Sequence, residues 1–364
     1  MGPPDLREIE WERPPLIEPK RDAELERWVR ELGVPNGYPL RFFSRCPWLA
    51  RSMARLVTVD LAHLDCDLAD LVALVVSQDN SCRYCLAGAR ILLRVSGMGD
   101  AGVELLESEL VGAEQAPQSR LGLEFARRLS RCNPPPSPAD VDVLRDAGFS
   151  REEILELAFA TVQYVAINRI NTLVALPPDL FERLDHGWLT GPMRLLLRRV
   201  VEARRVHLSP IVLSVEEKTG PFSAEVAGLD GLPAGRALRQ MLDEAWSSPI
   251  LTRRAKALVF AVVARGLGAR RVETEALTLL TAEGFALSEA ENTLAHLASA
   301  SLDPIESALV SFAPETLWYE PAPLQRRVRE LRGQLNDAEL LETIGVVAWA
   351  NAVCRLSLAL EAIG

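Results

Sequence analysis

The sequence lacks the features that mark several large protein classes. Histidine is rare, and no recognisable motif surrounds any of the four residues, His63, His186, His207 and His296. No second Cys-x-x-Cys and no His-x-x-x-His pair completes a zinc site, so we expect no bound metal. Lysine and arginine form no cluster in a chain of formal net charge −10, which argues against a nucleic-acid partner.

Long apolar runs are missing as well. No stretch of about 18 uncharged apolar residues is present, and we therefore predict no membrane span. The first residues, Met1-Gly2-Pro3-Pro4-Asp5, lack the basic and apolar regions of a signal peptide. A cytoplasmic location follows as the default expectation.

Strand signals are scarce throughout the chain. No window alternates between apolar and polar residues for long, and the loops contain helix caps rather than hairpin dipeptides. Apolar residues recur at helical spacing instead, and a capping box at Ser150-Arg151-Glu152-Glu153 precedes the long final helix of the first half. The sequence therefore predicts an all-α fold.

Only two of the six cysteines form a motif. Cys82 and Cys85 make a Cys-x-x-Cys pair at the start of a helix predicted from Cys82 to Val95. An apolar helix predicted from Asp67 to Ser77 precedes them. The remaining cysteines stand alone, and we expect them to be small buried hydrophobic side chains: Cys46, Cys66, Cys132 and Cys354.

The position of the thiol pair favours ionisation. A thiol attacks only as the thiolate, and an ordinary cysteine titrates at about pH 8.5. With Asn80 or Ser81 as the cap, Cys82 is predicted to lie in the first helical turn, where free N–H groups and the helix dipole stabilise an anion. Cys85 follows one turn later, within disulfide reach on the same face. Helix position alone thus makes Cys82 the more acidic thiol, while Arg83 and Arg90 are predicted to be solvated.

The second half of the chain echoes the first. Residues 256–263, 278–284 and 342–355 resemble residues 70–77, 91–97 and 156–169, at offsets of 186 or 187 residues. A near-constant offset over three separated helices predicts an internal duplication in which each copy buries a helical face against the other.

The two copies differ at the motif. Gly268 and Arg271 stand at the cysteine positions of the second copy, and Lys256 stands at the position of Asp70. We therefore expect the second copy either to be structural or to lend walls to the pocket of the first copy. An arginine recurs in both copies, which predicts a structural ion pair in each: Arg169 with Glu156, and Arg355 with Glu342.

These observations divide the chain into four parts. Residues 1–39 are predicted to form an N-terminal arm that lies over the surface, and residues 40–180 a helical domain with the Cys-x-x-Cys pair. Residues 181–236 are predicted to be a connector with a helix from Leu195 to Val206, and residues 237–364 the second copy.

The residues around the thiols carry a resemblance to a known family. Asp70 lies twelve residues before the first cysteine, and the segment from Ser77 to Cys85 reads Ser-Gln-Asp-Asn-Ser-Cys-Arg-Tyr-Cys. With the helix that ends Ile167-Asn168-Arg169-Ile170, these residues resemble the AhpD-like, or carboxymuconolactone decarboxylase, family of all-α proteins. The resemblance implies two tandem helical-bundle domains related by pseudo-two-fold symmetry, the second degenerate, and a homo-oligomer.

The resemblance also implies an activity. The redox-active branch of this family reduces hydroperoxides with two thiols, and a dithiol donor then reduces the resulting disulfide. Carried over by position, Cys85 is the peroxidatic thiol, Cys82 the resolving thiol and Asp70 the acid, while Ser77, Asn80 and Tyr84 are supporting residues. The implied partners are a small-molecule substrate and a dithiol reductant or redox partner protein, and no bound cofactor is implied.

The chain departs from the family pattern at two positions. The acid is Asp rather than Glu, and the family's histidine position, four residues after the second cysteine, is Ala89. That histidine is expected to relay a proton to or from Cys85. The leading prediction is a thiol-dependent oxidoreductase that reduces a hydroperoxide or a disulfide. Two alternatives stay open: a non-redox enzyme acting on a small organic acid or lactone, and a catalytically inactive scaffold.

Overall fold

The computed structural model describes residues 6–32, 37–109, 117–178, 182 and 219–364. Within these ranges all regular structure is helical and no strand occurs, so the predicted all-α fold is confirmed. The first part of the chain contains Ala23–Glu31 (α1), Pro47–Leu56 (α2), Cys66–Asp79 (α3), Arg83–Ser96 (α4), Asp100–Glu109 (α5), Pro117–Arg131 (α6), Pro138–Asp146 (α7) and Arg151–Val174 (α8), with short 3₁₀ helices at Leu6–Glu8 and Tyr38–Phe43.

The last part of the chain is equally helical. It contains Ser223–Ala227 (α9), Pro233–Ser247 (α10), Arg253–Leu267 (α11), Arg270–Ala282 (α12), Leu287–His296 (α13), Pro304–Phe312 (α14), Pro321–Leu331 (α15) and Asp337–Ile363 (α16), with a 3₁₀ helix at Ala313–Thr316. The connector helix predicted from Leu195 to Val206 lies outside the described residues.

Local cap chemistry sets several helix ends. Ser150 and Glu153 form the predicted capping box at the start of α8, and Ser137 with Asp140 forms another at the start of α7. Gly97 ends α4 with a φ of 116°, a left-handed conformation that glycine adopts without steric cost.

Two long helices, α8 and α16, form the centre of the molecule. They pack along each other and are buried on nearly every side. Helix α16 is long and apolar enough to cross a membrane, but its most apolar 18-residue stretch is 89% buried inside the protein. The buried core helix of a protein can have the same length and composition as a membrane span. Helices α3, α4 and α6 pack around α8 and complete the region that holds the thiols.

The N-terminal arm packs its apolar side chains against the rest of the protein. The apolar side chains of Leu6, Leu16 and Ile17 are buried in the core. The indole N–H of Trp11 donates to the Leu176 carbonyl at 3.1 Å, and the Leu16 backbone N–H donates to the Val174 carbonyl at 3.0 Å. The arm is therefore part of the core packing next to the end of α8.

The two recurring arginines are structural, but their predicted partners are wrong. Arg169 donates to the carbonyls of Thr316 and Leu317, and Arg355 donates to those of Ser130 and Leu317. Arg169 thus binds backbone from the second half of the chain, and Arg355 binds backbone from both halves. Planar guanidinium groups suit this role because they offer five donors in a fixed geometry.

The two buried glutamates bind other groups. Glu156 accepts the backbone N–H groups of Ala62, His63 and Leu64, each at 2.7 Å. Glu342 instead contacts Lys256 and the Ser248 hydroxyl. The contact between Ala62 and Glu156 and the contact between Ser248 and Glu342 join positions that are related by the offset of 186 residues. The duplication and its pseudo-two-fold symmetry stay predictions.

Candidate functional site

A tight connection between α3 and α4 positions the thiol pair. Asn80 caps the end of α3, and Ser81 has a φ of 48°, in the left-handed region. Cys82 is itself the N-cap of α4, which corrects the prediction that Asn80 or Ser81 caps this helix. The Cys82 sulfur accepts the backbone N–H of Cys85 at 3.3 Å, so one free donor at the helix start is satisfied by this thiol.

The two sulfurs are at disulfide distance, with Cα atoms 5.3 Å apart. The predicted disulfide reach is therefore confirmed. The two sulfurs differ in access, because Cys82 is fully buried and Cys85 is only partly buried.

A cavity of about 250 Å³ lies beside Cys85. It is bounded by the 3₁₀ helix Tyr38–Phe43 and by α2, α3, α4 and α8. Most of the lining is apolar and consists of Pro39, Leu40, Phe43, Met53, Val57, Ala73, Gly88, Ala89, Leu92 and Ile167. Of the described residues that line the cavity, none is charged. Such a pocket suits a small apolar molecule.

A few polar groups also line the cavity. The Ser77 hydroxyl donates to Asn168 Oδ1 at 3.3 Å. Tyr84 and Tyr164 also line the cavity, and burial raises the pKa of Tyr84. Asn171 completes the polar set and lies against the Cys85 sulfur.

The predicted site residues are only partly brought together. Ser77, Tyr84 and Cys85 line the cavity, and so does Ala89, at the position where the family has a histidine. Asp70 is half-buried on α3, one and two turns before Ala73 and Ser77 of the lining. Its role as the acid stays a prediction.

Asn80 has a structural task next to the site. Its side-chain amide donates to the Val76 carbonyl and the Ser130 hydroxyl, and its oxygen accepts from Arg169 at 3.0 Å. It thus anchors the end of α3, and it is not among the described residues that line the cavity.

Sequence reasoning missed Asn171. Its Nδ2 donates to the Cys85 sulfur at 3.3 Å, although 86 residues separate the two. In the sequence, Asn171 stands out only because it follows Asn168 by three residues. The two therefore share a face of the helix that carries the family resemblance. Nothing in the local pattern indicates which residue of α8 meets the thiols.

The sequence predicted that the arginines near the motif are solvated, and this prediction is wrong. Arg83 pairs with Glu182 at 2.5 Å and also donates to the Ile9 carbonyl, while Arg90 pairs with Glu107 at 2.6 Å. These ion pairs fix α4 against neighbouring segments and so hold the thiol pair in place.

The cysteines outside the motif are expected to resist alkylation in the folded, reduced protein. Cys46, Cys132 and Cys354 are buried, and burial raises the pKa of each thiol. Iodoacetamide followed by peptide mapping should label Cys85, together with half-buried Cys66, before these three. Equal labelling of all five in native buffer would contradict the burial described here.

Comparison with known proteins adds no identification. No family model matches the chain, and neither curated proteins nor solved structures give a match. Among the described residues, no group of three or more His, Cys, Asp or Glu side chains could hold a metal ion. The resemblance to the AhpD-like family therefore rests on the residues around the thiols.

Proposed function

We propose that the protein is a thiol-dependent oxidoreductase of the alkylhydroperoxidase type, which reduces a hydroperoxide through a Cys82/Cys85 dithiol–disulfide cycle. The observation that carries this proposal is the unequal access to two sulfurs at disulfide distance. Cys85 faces the apolar cavity, whereas Cys82 is buried behind it.

The access to the two sulfurs favours Cys85 as the attacking thiol. In the first step, the Cys85 thiolate attacks the terminal oxygen of the hydroperoxide and the O–O bond breaks. The sulfur is oxidised to a sulfenic acid, and the alkoxide takes up a proton and leaves as an alcohol. The apolar lining holds the organic part of the substrate during this step.

The second step uses the buried sulfur. The Cys82 thiolate attacks the Cys85 sulfenic acid, the S–O bond breaks, and hydroxide leaves as water after protonation. The N-cap position of Cys82 supports its thiolate, because the N–H of Cys85 and the dipole of α4 both favour negative charge there. Access to the cavity therefore favours Cys85 for the attack on the hydroperoxide, and helix position favours Cys82 for the attack on the sulfenic acid.

Return to the dithiol requires an external dithiol. Its thiolate attacks Cys85, the sulfur that the cavity reaches, and Cys82 leaves as the thiolate stabilised by the helix N-terminus. The second thiol of the donor then attacks the donor sulfur that is bonded to Cys85. This step releases the Cys85 thiolate and the oxidised donor. To reduce a small disulfide substrate, the Cys85 thiolate would attack one substrate sulfur and release the first substrate thiolate. Cys82 would then attack Cys85 and release the second, which leaves the Cys82–Cys85 disulfide.

The proton of the first step needs a source other than histidine. Tyr84 and Tyr164 both line the cavity, and we assign a phenol of this pair as the proton donor to the alkoxide. Asp70 is proposed as the acid on the resemblance alone. The family membership, the duplication, the homo-oligomer and the cytoplasmic location are likewise part of the proposal.

An organic-acid substrate and an inactive scaffold find less support. An organic acid would enter a lining in which no described residue is cationic, so its carboxylate would lose solvation without an ionic partner. An inactive scaffold needs no cavity, yet one opens beside the more accessible sulfur.

The test is steady-state consumption of cumene hydroperoxide in the presence of dithiothreitol. We expect turnover that requires both compounds and releases one equivalent of alcohol for each dithiol oxidised. Hydroperoxide loss no faster than in buffer with dithiothreitol alone would refute the proposed function.

A further inference from the structure

We propose that Asn171 is a site residue that positions the reacting groups: its amide nitrogen holds the Cys85 sulfur, and its amide oxygen accepts the O–H group of a molecule bound in the cavity. The part that concerns the bound hydroperoxide rests on the proposed function. The hydrogen bond to the sulfur does not depend on it.

The first observation is the contact with sulfur. Asn171 Nδ2 lies 3.3 Å from Cys85 Sγ, on the long buried helix α8. The sulfur of a disulfide or a thiolate can only accept a hydrogen bond, which assigns the nitrogen rather than the oxygen of the amide to this side. A donor fixed beside the sulfur stabilises the thiolate more than the thiol.

The second observation is an orphaned oxygen. Asn171 is 4% exposed, yet its Oδ1 has no hydrogen-bond partner. Asn168, one turn earlier, has the opposite pattern: its Oδ1 accepts the Ser77 hydroxyl, and its Nδ2 is the atom without a partner. A buried carbonyl oxygen without a partner is unfavourable, and a ligand O–H group would supply the missing partner. Since Asn171 lines the cavity, such a ligand can reach it.

The third observation is the small side chain across the cavity. Ala89 replaces the histidine of the family and offers no polar atom from its side chain. An amide cannot relay a proton, so Asn171 does not restore the histidine's task. It can align the O–H group of a hydroperoxide next to the sulfur while the proton for the alkoxide comes from elsewhere in the site.

The sulfur contact is tested without any turnover. In a Cys82→Ser background, which keeps an acceptor for the Cys85 N–H, the alkylation rate of Cys85 is measured against pH by peptide mapping. Asn171→Leu should raise the midpoint of this profile by about one unit, because one hydrogen bond to the thiolate is lost. Asn171→Asp keeps the shape and adds a negative charge, so its midpoint should rise at least as far.

Asn168→Leu is the matched control. It also removes a buried amide from the same face of α8, but Asn168 contacts Ser77 rather than the sulfur. Its midpoint should equal that of the Cys82→Ser parent. Circular dichroism melting of each variant identifies those that are unfolded. An unchanged midpoint in folded Asn171→Leu or Asn171→Asp overturns the sulfur contact, and so does an equal rise in Asn168→Leu.

The ligand contact is tested on the disulfide form, again without turnover. Two ligands with the same apolar body are compared by calorimetry: 2-phenyl-2-propanol, which has a hydroxyl group, and cumene, which has none. Asn171→Leu should lower the ratio of alcohol affinity to hydrocarbon affinity by about tenfold, the effect of one lost hydrogen bond. An unchanged ratio, or no binding of either ligand to the wild type, overturns this part.

The outcomes separate the two proposals. Shifts in the pH profile and in the affinity ratio, in a protein that consumes no hydroperoxide, would sustain the role of Asn171 and reject the peroxidase. Hydroperoxide turnover with neither shift would sustain the peroxidase and reject the role of Asn171.

Discussion

Cys85→Ser is expected to lower hydroperoxide turnover by about a thousandfold or more, because a serine hydroxyl is hardly ionised at neutral pH and is a poor nucleophile toward oxygen. Cys85 is the sulfur that faces the cavity, and the described lining contains no other thiol. The measurement is the initial rate of cumene hydroperoxide loss at saturating dithiothreitol.

Two further variants locate the effect. Cys66→Ser removes the half-buried thiol at the start of α3, outside the cavity lining, and should keep the wild-type rate. Cys82→Ser should still form the Cys85 sulfenic acid, which a dimedone label detects, but no intramolecular disulfide. A Cys85→Ser protein that retains a tenth of the wild-type rate would contradict the assignment of Cys85.

Lys256→Met is expected to lower the free energy of unfolding by about 3–5 kcal/mol, the effect of leaving a buried charge without its partner. Lys256 Nζ donates to the carbonyls of Ala245 and Ser248 and lies 2.7 Å from Glu342 Oε1. Both charged side chains are fully buried. Burial lowers the pKa of Lys256, while Glu342 acts in the opposite direction. Urea denaturation followed by circular dichroism measures the change.

A double variant separates the charge from the packing. In Lys256→Met with Glu342→Leu no buried charge is left alone, so most of the lost stability should return. Lys20→Ala, at an exposed position of the arm, should change the free energy of unfolding by less than about 0.5 kcal/mol. A double variant less stable than Lys256→Met would contradict a stabilising pair between Lys256 and Glu342.

The parts of the molecule that follow from local chemistry could be predicted from the sequence. Helix spacing and caps such as Ser150 with Glu153 indicated the all-α fold, because they act within one turn. The reach between Cys82 and Cys85 followed in the same way from their separation along one helix. The position of the candidate site in the chain could therefore be predicted from the sequence.

The contacts that depend on tertiary packing could not be predicted. Asn171 meets Cys85 across 86 residues, and Arg169 reaches the carbonyl of Thr316 across 147 residues. The pairing of Arg169 with Glu156 was inferred from charge and from the recurrence of both residues in the second copy. The Glu156 carboxylate instead accepts backbone N–H groups, and such contacts cannot be predicted from residue types. The contact between Trp11 of the arm and the Leu176 carbonyl spans 165 residues and could not be predicted for the same reason.

The central claim is that a hydroperoxide converts the thiols of Cys82 and Cys85 into one disulfide. The most direct measurement treats the fully reduced protein with one equivalent of cumene hydroperoxide, unfolds it in denaturant, alkylates the remaining thiols and maps the peptides by mass spectrometry. We expect a peptide in which Cys82 and Cys85 are linked and have lost two hydrogen atoms, with the other four cysteines alkylated. Alkylated Cys82 and Cys85 after the hydroperoxide has been offered would contradict the account.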